Sequence, residues 1–268
     1  MPALRHKRKT DGRMSLGDHL RELRRRFVVA AGAIAVGSVL GWVEYGRLFD
    51  AIMAPLRTVA RQRNGLVNIN FGGITQPFTV QLQVALFVGV IAASPVWLYQ
   101  VWGFIVPGLT KREKRTTVAF IGAAVPLFLL GCSFAVYAVP RAVEVLLGFT
   151  PTGAANLPDA ALYLTFVTRF ILAFGLAFLL PVFLVGLNVA HVLPARIMLK
   201  GWRIAVMLIF VFAAMMTPTP DAWTMLVLAL PMVGFFYAAV GVSTLLDRRR
   251  ARREPGWAKV ADDEASPL

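Results

Sequence analysis

The chain has 268 residues, of which 57% are apolar or aromatic and only 16% charged, with a mean hydropathy of +0.66. Soluble domains run nearer about 45–50% apolar and about 25% charged, so this composition excludes an ordinary water-soluble globule and points into a lipid bilayer. A formal charge of +14 would suggest nucleic acid in a soluble chain. In a membrane chain it reads instead as basic loops held on the cytoplasmic side, with no nucleic-acid partner.

Residues 1–14 are basic and lack an apolar core, which predicts a cytoplasmic tail and not a cleavable signal peptide. Predominantly apolar runs follow at 27–43, 78–99, 117–139, 161–190, 204–216 and 222–242. A bilayer core about 30 Å thick takes about 20 helical residues. Four runs reach that length, 27–43 nearly does, and 204–216 falls short. Period-two alternation in short segments, the mark of a barrel, is missing. The expectation is an all-α, six-span domain over 15–246, with helices 5 and 6 relatively short and a disordered cytoplasmic tail at 247–268.

Orientation follows from Lys and Arg. One set of flanks (the N-terminal segment through Arg26, 107–116, 191–203 and the C-terminal tail) carries 22 of them, and the other set carries five. The richer side is predicted to be cytoplasmic, so both termini face the cytoplasm. The fifth run, Ile204 to Met216, gives about 20 Å of helix at 1.5 Å per residue, which predicts tilt-relieving partners or a locally thinned bilayer.

Several chemistries are absent from the pattern. There is no G-x-x-x-x-G-K-[ST] phosphate loop and no G-x-S-x-G elbow. The three histidines, His6, His19 and His191, are far apart and form no ligand pair, and the apolar runs carry almost no acids. The single cysteine, Cys132, excludes an internal disulfide and a cysteine-based metal cluster and reads as a packing residue. No cofactor, metal or enzymatic activity is expected. The halves show no internal repeat, which weakens a secondary-transporter reading.

The remaining polar residues cluster at the ends of the runs. Ser15 with Asp18 fits a capping box, and Leu16, Leu20, Leu23 and Phe27 fall on one face of the helix that would follow. Glu22 can pair with Arg25 or Arg26 one turn on, or can accept an arginine from a partner. In the segment from Tyr99 to Arg115, Pro107-Gly108 predicts a turn and Thr110 with Glu113 a second capping box. Glu22 and Glu113 are the only acids near the first two cytoplasmic faces. Paired carboxylates at that depth suit two-pronged recognition of guanidinium groups. Thr219, Pro220 and Asp221 read as the start of the sixth helix. Arg169 lies inside the fourth run, where a charge is expensive and is either used or snorkels outward.

Taken together these blocks resemble the TatC family, the polytopic subunit of the twin-arginine protein translocase. The resemblance spans about Leu16 to Leu245 and rests on His19-Leu-Arg-Glu22-Leu-Arg24-Arg-Arg26, Ala54-Pro55-Leu56, Pro95 through Glu113, Tyr163-Leu-Thr-Phe166, Pro181, Thr217-Pro-Thr-Pro-Asp221 and Leu230-Pro231. It implies a core receptor in the cytoplasmic (inner) membrane of a prokaryote. In that reading Glu22 and Glu113, with Arg24 and Phe104, bind the paired arginines of signal peptides on folded precursors. Pro55 and Asp221 match functional positions on the far side. TatA-type and TatB-type single-span subunits are the implied partners, beside the lipid bilayer, and the proton-motive force is the implied drive. Three positions depart from the family pattern: Leu179 and Tyr237 stand where acids are common, and Gln83 where a lysine is common. The competing reading from a different class is a small-solute transporter or channel, which would need a polar lumen.

Overall fold

The computed structural model describes residues 16–62, 70–105, 114–148, 159–216 and 222–252. Among these residues the secondary structure is helical, with one isolated bridge between Asn70 and Asp159 and no strand. In chain order the helices are α1 (Leu16–Val43), α2 (Tyr45–Gln62), α3 (Gln76–Ala92), α4 (Ser94–Ile105), α5 (Lys114–Gly148), α6 (Ala160–Val189), α7 (Ala195–Lys200), α8 (Trp202–Met216) and α9 (Ala222–Ala251). Helices α1, α5, α6 and α9 are each long and apolar enough to cross a membrane, and α3 with α4 make a fifth candidate bent by 62°. The chain is a multi-pass membrane protein. The 15-residue α8 is apolar but spans only about 22 Å, in keeping with the expected short fifth helix.

The bend has a local cause. Pro95 has no N–H and its ring crowds the preceding turn, so the helix that begins at Gln76 cannot run on through it. The chain turns at Ala93 and restarts at Ser94, and the Trp97 indole N–H donates to the Val90 carbonyl at 2.9 Å, covering an acceptor that the break exposes. The sequence had read 78–99 as one uninterrupted run. Two shorter elements also escaped it: α7, and the surface helix α2.

Helix α2 is amphipathic, a pattern that hydropathy averaging hides. Leu48, Ile52, Met53 and Leu56 recur at helical spacing and pack on the core, whereas Arg47, Asp50, Ala54 and Arg57 face outward. Ion pairs Arg47–Glu44 at 2.8 Å and Arg57–Asp50 at 3.0 Å line that outer face. Pro55 sits half-buried inside this helix. It cannot donate to the Ala51 carbonyl, and at the next carbonyl, Ile52, the Tyr163 hydroxyl from α6 donates at 3.1 Å. The proline turn is thereby tied to the start of α6.

Lipid removes most of the hydrophobic drive for helix association, so close backbone approach and dispersion carry the packing. Glycines provide it at three crossings. Between α1 and α3, a Cβ at Gly41 would lie 2.8 Å from the Ala85 Cα, and one at Gly89 would lie 2.6 Å from the Ile34 carbonyl. Between α5 and α6, a Cβ at Gly131 would meet the Phe174 carbonyl at 2.6 Å, and one at Gly175 would meet Cys132 Sγ at 2.7 Å. Cys132 is buried there as a packing residue. Where α4 meets α6, the Trp102 ring rests on Gly186 and stacks on Phe120 with centroids 3.8 Å apart.

The sixth helix corrects an expectation. It is not short: α9 runs 30 residues to Ala251, beyond the apolar stretch and past residue 246. Arg248, Arg249 and Arg250 in its last turn complement the helix dipole. Asp247 and Arg250 bind neighbouring segments, as described below.

Candidate functional site

At one end of the bundle the start of α1 lies against the end of α4. Motif spacing puts His19, Glu22 and Arg26 on one stripe of α1, at i, i+3 and i+7. The His19 ring stacks on Phe104 of α4 with centroids 4.5 Å apart and planes inclined by 23°. One turn on, the Arg26 guanidinium donates to a single Glu22 oxygen, Oε1, through Nε at 3.0 Å and Nη2 at 2.6 Å. The other oxygen, Oε2, has no partner among the described residues. Both side chains are 23% exposed, so the pair is partly withdrawn from water yet reachable. Arg26 also lies against Gly103, where any Cβ would collide with its guanidinium.

Glu22 and Phe104 therefore lie at one face, where α1 meets α4. Arg24 is exposed and makes no hydrogen bond or ion pair among the described residues. Glu113, with Thr110, lies outside the described residues, as do Ser15 and the segment Thr217–Asp221 with its expected cap. Sequence reasoning missed two contributors, His19 and Gly103, and left Arg26 open. His19, set aside with the other histidines as forming no ligand pair, is an aromatic contact of Phe104. Arg26 was one of two options for Glu22. Gly103 carried no signal, because only the α1–α4 approach makes its lack of a side chain matter.

Two other polar clusters hold segments together. At the opposite end, Asp159 caps α6 by accepting from the backbone N–H of Ala161 at 2.9 Å and Leu162 at 3.0 Å. The Gln76 amide of α3 donates to both Asp159 oxygens at 2.7 and 2.6 Å, and the Gln76 carbonyl oxygen accepts from the Gly72 N–H. The Gln76 side chain, then the Leu162 N–H, hold the Asp159 carboxyl below its ordinary pKa. At the α1–α4 end, Asp247 of α9 accepts from Asn188 at 3.0 Å and from the Ala195 N–H at 3.0 Å. Arg250 donates to the Asn188 and Val189 carbonyls at 3.1 and 3.3 Å. Together they close the turn between α6 and α7, where His191 takes a left-handed φ of 59°.

Inside the apolar part, Gln83 of α3 donates to Thr165 at 3.2 Å and Thr168 at 3.1 Å on α6. This is the place where a lysine had been the familiar residue. Arg169, next to Thr168, points outward and has no partner among the described residues. A groove of about 540 Å³ opens between α4, α6, α8 and α9, and Leu179 is part of its wall with Trp97, Phe183, Phe212 and Phe236. Its lining carries no charged side chain. Tyr237 faces outward on α9.

The family model described as Sec-independent protein translocase protein (TatC) matches residues 18–231. The chain belongs to the TatC family. It is 45% identical over 241 residues to the Sec-independent protein translocase protein TatC of Xylanimonas cellulosilytica, covering 90% of this chain and 87% of that one. To the TatC of Rothia mucilaginosa it is 38% identical, covering 96% and 87%. A crystal structure of a twin arginine translocase receptor, TatC, superposes with a TM-score of 0.73 at 30% identity, over 84% of this chain and 99% of that one. The family is a translocase component and not an enzyme, in agreement with the sequence reading.

Proposed function

We propose that this TatC-family chain is the core receptor of a twin-arginine protein translocase, and that Glu22 is the carboxylate that receives an arginine of the signal peptide. The observation that supports the reading is the Glu22 carboxylate: it already holds a guanidinium at hydrogen-bond distance, and its Oε2 has no partner among the described residues. Glu113 would supply the second carboxylate, Phe104 with His19 an apolar wall, and Arg24 an exposed contact beside them. Arginine suits such a site because its planar fork presents two parallel donors, which lysine cannot.

In this reading the α1–α4 end faces the cytoplasm of a prokaryotic cell, the chain makes six spans in the inner membrane, and the proton-motive force drives export of folded precursors. TatA-type and TatB-type single-span subunits are the partners. The uncharged groove through Leu179 favours apolar packing of such a helix over a polar anchor at that place. Pro55 and Asp221 belong to the opposite, outer side. A small-solute channel is less well supported, since the groove offers no polar lumen.

The test is photocrosslinking of a twin-arginine precursor to membranes containing this chain, its Glu22→Ala and Glu113→Ala variants, and a Lys-Lys precursor. The expected result is a crosslink that needs both acids and the arginine pair. Crosslinking of equal strength in all four cases would refute the assignment.

A further inference from the structure

We propose that Arg169 marks a docking face for a partner's membrane-spanning helix, one that carries a carboxylate in the half of the bilayer nearer Asp159. The apolar furrow that continues from Arg169 along α6 seats the rest of that helix. The proposal is independent of the Glu22 site.

Arg169 lies nine residues beyond Ala160, the first of α6, or about 13 Å deep at 1.5 Å per residue. It is exposed on the side of α6 turned out of the bundle. Snorkelling recovers only about half of that depth. A charge left in lipid is expensive, and arginines at such positions are paired where they are used. The polar neighbours of Arg169 are satisfied without it. Gln83 donates to Thr165 and Thr168 at 3.2 and 3.1 Å. The two threonine hydroxyls donate to the Ala161 and Leu164 carbonyls, each at 2.7 Å. The guanidinium donors of Arg169 are left with no acceptor among the described residues.

The chain's own acids do not fill that role. At the Asp159 end, Glu44 pairs with Arg47, Asp50 with Arg57 and Glu144 with Arg141, and Asp159 is taken by Gln76 and the α6 cap. Segments 63–69 and 149–158 contain no Asp or Glu at all, which leaves Asp221, just ahead of α9, as the other acid of that end. A second copy of the chain is a poor partner for the same reason. Its described acids lie near the ends of the long helices or on the surface helix α2, not at the depth of Arg169. The missing acceptor must come from a different chain.

The surface beside Arg169 has the shape for a helix. Leu172 and Leu176 follow on the same side of α6, at i+3 and i+7. With Trp97 and Phe128 they line a cavity of about 180 Å³. Leu176 also belongs to the wall of the 540 Å³ groove that opens toward α8 and α9. The furrow is thus charged at one end and apolar along the rest, which complements an apolar helix with one acid in the matching half. Pairing offsets the cost of both charges, since a lone carboxyl in lipid takes up a proton whereas one facing a guanidinium stays ionised.

The experiment reconstitutes the full chain in zwitterionic vesicles with a fluorescent Leu-Ala transmembrane peptide that bears Glu, Gln or Lys nine residues from one end. Association is read by energy transfer. The Glu peptide is expected to bind wild type about tenfold more tightly than the Gln peptide, in the range of interhelical polar contacts between model helices. Arg169→Leu should bring that ratio to about one, and Arg169→Glu should prefer the Lys peptide. Taking the ratio removes any general change in apolar affinity. An isotope-labelled Glu side chain should show the ionised carboxylate infrared band with wild type and the protonated band with Arg169→Leu.

Equal binding of the Glu and Gln peptides by wild type would overturn the proposal. If the preference then emerged in Asp221→Asn, Arg169 would be serving an internal pair; if it did not, the arginine would be snorkelling to lipid phosphate. A Glu preference that survived Arg169→Leu would place the acceptor's partner elsewhere and equally overturn it.

Discussion

Two carboxylates at opposite ends of the bundle, Asp159 and Glu22, are held differently. At the start of α6, Asp159 is saturated: both oxygens accept from Gln76, and Oδ1 also takes the N–H groups of Ala161 and Leu162. Its partners come from α3 and from α6 itself. At the start of α1, Glu22 has one side-chain partner from its own helix and, among the described residues, one oxygen with none. A saturated carboxylate joins segments and has little left to offer a ligand. An unsaturated one keeps an acceptor for a ligand's donor. Asp247, with both oxygens engaged by Asn188 and one also by the Ala195 N–H, belongs with Asp159.

That contrast can be broken by substitution. The largest expected effect is on binding at Glu22: Glu22→Ala should weaken a twin-arginine peptide by about 1–3 kcal/mol while leaving the melting temperature of the detergent-solubilised chain nearly unchanged. A large stability loss without a binding change would place Glu22 with the structural acids. Asp159→Ala should do the reverse. It removes the α6 cap and the tie to α3 and should cost about 1–2 kcal/mol of stability, read by thermal unfolding, with peptide affinity preserved in the folded fraction.

The pH dependence sharpens the same distinction. Because its folded-state pKa is lowered, Asp159 contributes stability that is fully present above the ordinary carboxyl pKa and lost as pH falls through the lowered folded value. Unfolding followed across that acid window should show the wild type losing its advantage over Asp159→Asn, with the two converging below the folded value. A gap that stays constant with pH would remove the charge from the account of this clasp. The smallest effect belongs to Arg169. It is exposed and has no partner among the described residues, so Arg169→Leu should change stability by no more than about 0.5 kcal/mol, measured as melting temperature and membrane level. A collapse of the protein level would reveal a partner that the described residues do not include.

Much of this architecture was legible in residue order because lipid imposes simple rules. Every long span announced itself as an apolar run, and the short α8 was visible as the run from Ile204 to Met216, too brief for the bilayer. The bend at Ala93 was written in Pro95 but masked by continuous hydropathy on both sides. Helix α2 was missed for the opposite reason: it alternates apolar and charged faces, which average to nothing over a window, and only periodicity at Leu48, Ile52 and Leu56 would have exposed it. Of the site, Glu22 was legible as an acid among bases, and its pairing was narrowed to two arginines. The choice of Arg26 depends on α4 lying behind it at Gly103, a contact between positions far apart in the chain. Gln76 and Asp159 are 83 residues apart and invisible to local reasoning for the same cause.

The most direct test of the central claim is one paired measurement on Glu22→Gln and Asp159→Asn, which remove charge with little change of shape: twin-arginine peptide affinity and thermal stability on the same membrane preparations. The account predicts that Glu22→Gln loses affinity and keeps stability, and that Asp159→Asn loses stability and keeps affinity. Equal behaviour of the two variants in both readouts would contradict the distinction between an open and a saturated carboxylate, and with it the place assigned to the receptor site.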